Sequence, residues 1–217
     1  MKKTVLPLLT TLLLACSAFA QAPDFLTPNA NVSSFVRRRL LYGSNNVTTK
    51  WTGVPKLEVT ANSPALRVFV EETFTSFCQA AGLTSQGEGI YNVVIATKEE
   101  FSKLACVKRR HPSFHMTGWY YYIAGNDLVE TITINDPSRY RDESLLQRDV
   151  FLNMLRTFGV MNDDSRLPKK SPFVPTIESD TQLSPIERLL ISFNYKHVPS
   201  GADSGELPKL LRLYWNK

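Results

Sequence analysis

Residues Leu145–Ser165 read LLQRDVFLNMLRTFGVMNDDS, and they decide the architecture. Apolar side chains recur at Leu145, Phe151, Leu152, Leu155 and Phe158, spacings that gather on one broad face of an α-helix. A broad face is what a helix lodged under a sheet presents. Gly159 follows directly, and glycine accepts the left-handed conformation at a helix stop without steric penalty. The segment predicts a helix from about Ser144 to Phe158, ended by Gly159 and followed by the polar turn Asn162-Asp163-Asp164.

On the C-terminal side, residues 160–182 are polar, contain three prolines and read as a long connection. Ser184-Pro185-Ile186-Glu187 is a capping box that opens a helix to about Tyr195. Ser200-Gly201 breaks it, and a last helix follows from about Gly205 to Tyr214. On the N-terminal side, Met116–Ile123 and Leu128–Ile134 are β-rich runs joined by the turn-prone Ala124-Gly125-Asn126-Asp127, so they form a hairpin. Its Tyr120, Tyr121 and Tyr122 suit the packing of a half-buried sheet. Thr97 and Glu100 make a second capping box for a short helix ending near Cys106, preceded by a strand over Ile90–Ala96. Ser63-Pro64 starts a longer helix that stops at Gly82, with Leu66, Phe69, Val70, Phe74, Phe77, Cys78 and Ala81 on one face. Lys50–Thr60 is extended, with Trp51 as a core anchor, and Asn31–Tyr42 is a helix stopped by Gly43.

This order, strand, helix, strand, short helix, hairpin, helix and two further helices, predicts an α+β fold: a single domain in which helices pack on one twisted mixed sheet. The organisation is an N-terminal signal over 1–20, a leader and helix over 21–49, and the α+β domain over 50–217. The length of 217 residues and the 43% apolar content exclude a wholly disordered chain, collagen and a coiled-coil rod.

Met1–Ala20, MKKTVLPLLTTLLLACSAFA, has two lysines, a short apolar run from Val5 to Leu14 and the site Ala18-Phe19-Ala20, the pattern of a secretory signal peptide. The run is shorter than the roughly 20 residues of a membrane-spanning helix, and no second such run follows. Cleavage after Ala20 sends the chain to the periplasm or outside the cell. A second reading takes Leu13-Leu14-Ala15-Cys16 as a lipobox and leaves a lipoprotein anchored at Cys16. Either way Cys78 and Cys106 reach an oxidising compartment, where an even pair favours a disulfide; the alternative is two buried thiols. Loss of Lys2 and Lys3 takes the formal charge from +5 to +3, too mild to indicate nucleic acid. The runs Arg37-Arg38-Arg39, Lys108-Arg109-Arg110 and Lys169-Lys170 read as solvated surface.

Glycine-rich phosphate loops, paired C-x-x-C, G-x-S-x-G and H-E-x-x-H are absent. His111 and His115 are four apart, but Pro112 between them argues for a loop rather than a metal-binding helix face. His197 follows the end of a helix, where a cation is favoured.

In the order of its features, the chain resembles a family of bacterial exported domains of unknown function that look like degenerate zincin metallopeptidases. The resemblance rests on the helix ending at Gly159 with Asn162 and Asp163 after it, on Lys50-Trp51-Thr52-Gly53, and on Ser184–Leu190 with Tyr195 and Pro199-Ser200-Gly201. It spans most of residues 50–202. It implies a zincin-like fold in which the zincin pattern H-E-x-x-H-x-x-G falls on Leu152, Asn153, Arg156 and Gly159. Leucine cannot ligate zinc, asparagine cannot act as the general base, and arginine would repel the ion. The family's helix reads more like E-E-x-x-Q-x-x-G, so the chain also departs from that family's pattern at the polar positions.

The expectation is therefore a non-catalytic binding or structural domain of the bacterial envelope, without metal or other cofactor. Asn153, Arg156, Gly159, Asn162 and Asp163 mark a vestigial cleft that faces a peptide, a glycan or another envelope protein. In the competing reading, Arg156 and Asp163 form a buried ion-pair network. Two alternatives stand beside it: a hydrolase with a carboxylate pair drawn from Asp163, Asp164, Glu143 and Glu178, and a lipoprotein that binds lipid or lipopolysaccharide through the basic runs.

Overall fold

The structure, a computed structural model, describes residues 33, 36, 37, 39–41, 47–101, 103, 118–160 and 181–215. The export signal with Cys16, the stop at Gly43, Cys106, His111, His115, two of the three basic runs and the 161–180 connection lie outside the described residues.

Strand β1, Val54–Ala61, leads into helix α1, Pro64–Ala81. The Ser63 hydroxyl caps α1 by accepting from the Leu66 N–H at 3.3 Å, and Gly82 ends it at φ +68°. Strand β2, Gln86–Ile95, starts earlier than the apolar run at Ile90 because Gln86 also pairs with Val54 of β1: ladder hydrogen bonds extend the strand beyond its hydrophobic stretch. Helix α2, Lys98–Phe101, carries the expected capping box, with the Thr97 N–H donating to Glu100 Oε2 at 2.9 Å. The hairpin is β3, Gly118–Ala124, and β4, Asp127–Asn135, with Ala124 opposite Asp127 and a two-residue turn between them. A short 3₁₀ turn, Pro137–Arg139, precedes α3, Glu143–Thr157; α4 is Pro185–His197 and α5 is Leu207–Tyr214. Both halves of the α4 capping box are formed between Ser184 and Glu187.

The four strands lie in the order β1-β2-β4-β3. β1 and β2 are parallel, β2 and β4 are parallel, and β3 runs antiparallel to β4. The sheet is mixed and helices pack on it, which is the α+β architecture expected. The main core lies between one sheet face and the helices: Tyr91, Val93 and Ile95 of β2 meet Val70, Phe74 and Phe77 of α1, Val150, Met154 and Leu155 of α3, and Leu190 and Ile191 of α4. The other face carries a smaller cluster of Val94, Ala96, Phe101, Ile132 and Ile134. β2 is covered on both faces, which explains its unbroken Val-Val-Ile run.

Residues upstream of 50 join the main core. Val36 and Leu40 are fully buried in it, and Trp51 anchors it as expected. The basic run at 37–39 is not uniformly solvated: Arg37 is exposed, whereas Arg39 is buried, because residues 39 and 40 turn the same flank of their helical stretch inward. Thr48 is sewn to the α4–α5 loop, its hydroxyl donating to the Pro199 carbonyl at 2.8 Å and its N–H to that of Ala202 at 3.0 Å. Lys50 sends its ammonium to the C-terminus of α4, donating to the carbonyls of Asn194 and Tyr195, each at 3.3 Å, and of Val198. A cation there complements the helix dipole. Burial pulls the Lys50 pKa down, and the nearby Asp127 carboxylate opposes that pull.

The apolar face of α3 is rotated from the one read in the sequence. Leu145 is exposed and Leu152 only half-buried, while Leu146, Val150, Phe151, Met154, Leu155 and Phe158 fill the core. At about 100° per residue, Leu145 and Leu152 fall on the flank away from Val150 and Met154. Among the described residues, no helix is long and apolar enough to cross a membrane.

Candidate functional site

The Asp142 carboxylate opens α3 by accepting from the Leu145 N–H at 3.1 Å. Gly159 closes it at φ +90°, with its N–H on the Arg156 carbonyl at 2.9 Å and the Val160 N–H on Leu155 at 3.0 Å. That pair of bonds is a Schellman stop. Between these ends, Asp149, Asn153 and Arg156 recur at spacings of four and three and so share a flank, with Thr157 beside them.

This flank turns toward β3, β4 and the chain after β4. Asn153 is buried; its amide donates to Asn135 Oδ1 at 3.4 Å, and its Oδ1 accepts from Arg156 Nη1 at 3.1 Å. Asn135 in turn donates to the Tyr140 hydroxyl at 3.1 Å, and Tyr140 donates to Asp149 Oδ2 at 2.8 Å. The result is a hydrogen-bonded chain from Arg156 to Asp149 across the space between helix and sheet. A second branch runs along the Thr157 hydroxyl, which donates to the Asn153 carbonyl and accepts from the Trp119 indole N–H, both at 3.0 Å. Trp119 stacks on Tyr121 of the same strand, with ring centroids 4.6 Å apart and planes 29° from parallel. The Tyr91 hydroxyl closes the floor within 3.4 Å of Thr133 Oγ1.

Burial pushes the Tyr140 hydroxyl up to about 12, helped by the Asp149 carboxylate and opposed by the Asn135 amide. Burial also pushes Tyr91 up to about 12, against hydrogen bonds from Thr133 and Thr157. Both phenols keep their protons at neutral pH, asparagine has none to exchange, and the guanidinium is permanently charged. The arrangement sets hydrogen-bond donors and one cation, held on Asn153, in the same helix flank that meets Trp119 through Thr157.

Of the residues expected at a vestigial cleft, Asn153 and Arg156 come together. Gly159 lies apart from them, facing Asn194 of α4 and the Thr49 carbonyl. Asn162 and Asp163 lie outside the described residues, as do Asp164 and Glu178 of the hydrolase alternative. Glu143 is exposed in the first turn of α3, where its carboxylate accepts from Gln147 at 3.1 Å, a solvated position that counts against acid–base work. Cys78 is buried with a free thiol that burial pushes up to about 12; Cys106 lies outside the described residues. His197 is in the last turn of α4, stacked on Tyr214 at 4.7 Å. Among the described residues, no group of three or more His, Cys, Asp and Glu side chains is placed to hold a metal ion.

Asn135, Tyr140, Asp149, Trp119 and Thr157 were not singled out from sequence. The polar recurrence Asp149-Asn153-Arg156 on a helix otherwise committed to the core was the signal that could have found them. Comparison of the chain with family models, with curated proteins and with solved structures gave no match.

Proposed function

We infer that this chain is an exported bacterial envelope protein whose zincin-like scaffold serves as a non-catalytic binding or structural domain, with a groove beside β3 that takes a peptide or a glycan. One observation carries the reading. The helix positions that a zinc peptidase needs for two histidines and a glutamate hold Leu152, Asn153 and Arg156, and the last two are hydrogen-bonded to each other and, through Asn135, to the chain after the sheet.

The sheet edges support the choice of side. Along β1, Arg67 donates to the Val59 carbonyl at 3.0 Å and the Ala61 carbonyl at 3.5 Å, and Pro55 lacks an N–H, both of which hinder pairing there. β3 is the outermost described strand on the other side, carries no charge or proline, and brings Trp119 and Tyr121 next to α3. Aromatic faces suit sugar rings and peptide groups alike.

Purified exported protein is expected to hold no stoichiometric zinc and to show no chelator-sensitive peptidase activity. Zinc at one equivalent, with cleavage abolished by chelator, overturns the reading. Titration of peptide and glycan libraries against the indole N–H resonance of Trp119 reads binding directly; saturable shifts lost in Arg156→Ala locate it at this flank. The mature mass settles the export route: a chain beginning at Gln21 supports cleavage after Ala20, and a diacylglyceryl adduct on Cys16 replaces it with the lipoprotein route.

A further inference from the structure

Helix α5 commits one line of side chains to the fold. Leu207, Leu211 and Trp215 are buried, and Trp215 sets its ring edge-on to Phe193 of α4, with centroids 5.1 Å apart and planes at 76°. At about 100° per residue, Tyr214, Leu210 and Leu213 fall about 60°, 100° and 160° from Leu211 on one side of that line, and Arg212 and Lys209 about 100° and 160° from it on the other. Leu213 is 54% exposed and Tyr214 38%, Leu210 is half-buried, and both cations are exposed. The outward half of α5 is thus divided lengthwise into an apolar flank and a basic one. His197, in the last turn of α4, lies flat on Tyr214 with planes 7° apart, and its neighbour Lys196 is exposed. From Leu207 to Trp215 the chain holds two cations and no acid. The acids before it cap the helix start: Asp203 Oδ1 accepts from the Gly205 and Glu206 N–H groups at 2.7 and 3.0 Å, and Glu206 Oε2 accepts from the Asp203 N–H at 3.1 Å. Leu213 lies about 10 Å along the axis from Glu206, on the order of a Debye length.

We propose that the outward face of α5 docks on an anionic lipid surface, with the helix lying along the headgroup layer. Leu213, Leu210 and Tyr214 enter the boundary between headgroups and acyl chains, and Lys209 and Arg212 meet lipid phosphates. Interfacial helices bind in this way, by apolar area buried at the boundary together with attraction of their cations to anionic headgroups. The long stems of lysine and arginine let their charges stay at phosphate level while leucine goes deeper. Charge also argues against a second copy as the occupant. A two-fold pairing of this face would set two clusters of Lys209 and Arg212 against each other, like charge against like. Two turns of helix give only weak, reversible contact, with half-saturation at about millimolar lipid, below the grip of a single myristoyl chain. The face shares no residue with the groove beside β3, so neither proposal stands or falls with the other.

The test is co-sedimentation of the full mature chain with vesicles of phosphatidylglycerol and phosphatidylcholine in equal parts, at low and high salt. Binding is expected to the mixed vesicles at low salt, to weaken about 25-fold on vesicles of phosphatidylcholine alone, and to weaken likewise in high salt. Lys209→Gln and Arg212→Gln should each weaken it about 5-fold. Leu213→Ser should weaken it about 5-fold by removing apolar area. Val68→Ser on α1, which removes a side chain of similar exposure outside this face, should change nothing. All four side chains are exposed, so the variants keep the fold, and circular dichroism checks that they do. No binding to mixed vesicles at several times the expected half-saturation overturns the proposal. So does binding that ignores Lys209 and Arg212, or binding lost with the cations but unchanged in Leu213→Ser, which is adsorption of charge without docking of this face.

Discussion

Substitution of Gly159 by alanine tests the packing at the end of α3, because two separable penalties meet there. The first is conformational: at φ +90° a residue with a Cβ pays about 1–2 kcal/mol of left-handed strain. The second is steric: a Cβ at this position would lie 2.5 Å from Asn194 Nδ2 and 3.5 Å from the Thr49 carbonyl oxygen. Asn194 is fully buried, so its amide has no solvent to move into, and overpacking of this kind costs about 1–3 kcal/mol. The sum is about 3 kcal/mol, a melting-point loss of about 6–12 °C for a chain of this size. Gly82 supplies the control, since it ends α1 at φ +68° with nothing within 4 Å of a built Cβ. Gly82→Ala should therefore lose only the strain, about 1–2 kcal/mol. Urea unfolding of both variants, followed by far-ultraviolet circular dichroism, measures the difference. Adding Asn194→Ala to Gly159→Ala should return the steric part and leave the strain, with a coupling of about 1–3 kcal/mol in the double-mutant cycle. Equal losses at Gly82 and Gly159, or a cycle without coupling, would refute the argument that Gly159 is fixed by its contact with α4.

Lys50→Met keeps the aliphatic stem but removes the ammonium from the carbonyls of Asn194, Tyr195 and Val198, and is expected to destabilise by about 2 kcal/mol in the same urea assay; no loss would show that burial of the charge cancels its bonds. Stability should hold through neutral pH and fall in alkali. Tyr91 and Tyr140 rise from 10.0 to about 12 on folding, so the folded state binds these protons more tightly. Their contribution is complete below the unfolded values and is lost as pH climbs from about 10 to about 12. Urea midpoints across that window, compared with Tyr91→Phe, check it: a midpoint flat above pH 10 refutes the assignment. For the cysteines, we propose that export joins Cys78 to Cys106, so denatured, unreduced protein should release no thiol. Two thiols per chain would mean that Cys78 stays the buried neutral group of this structure.

The parts of this fold that were legible in the sequence are those that one or two turns of chain decide. Ser63 and Gly82 bound α1, Ser184 and Glu187 close their capping box, and Ala124–Asp127 turn the hairpin, because each donor and acceptor lies within a few residues of its partner. Arg39 was misread because a run of three arginines carries no mark of which one faces inward. The partners of Lys50 were illegible for another reason: they stand 144–148 residues away, and no local pattern encodes them.

The polar flank of α3 is the intermediate case. Counting apolar residues assigned Leu145 to the core, whereas following the angle around the helix would have shown Asp149, Asn153 and Arg156 as one stripe beside the apolar face. Thr131, Thr133 and Asn135 form a second polar stripe, at the two-residue period of β4, and all three are buried. Buried polar groups require partners. A helix and a strand that both bring polar stripes into the same interior therefore have reason to meet, as Asn153 meets Asn135 here. Tyr140 could not have been found this way. It enters from a 3₁₀ turn that has no period, and only the path of the chain after β4 sets its hydroxyl between Asn135 and Asp149. The candidate site was thus half encoded in two periodicities and half in a turn, and the turn joins the stripes into a connected network.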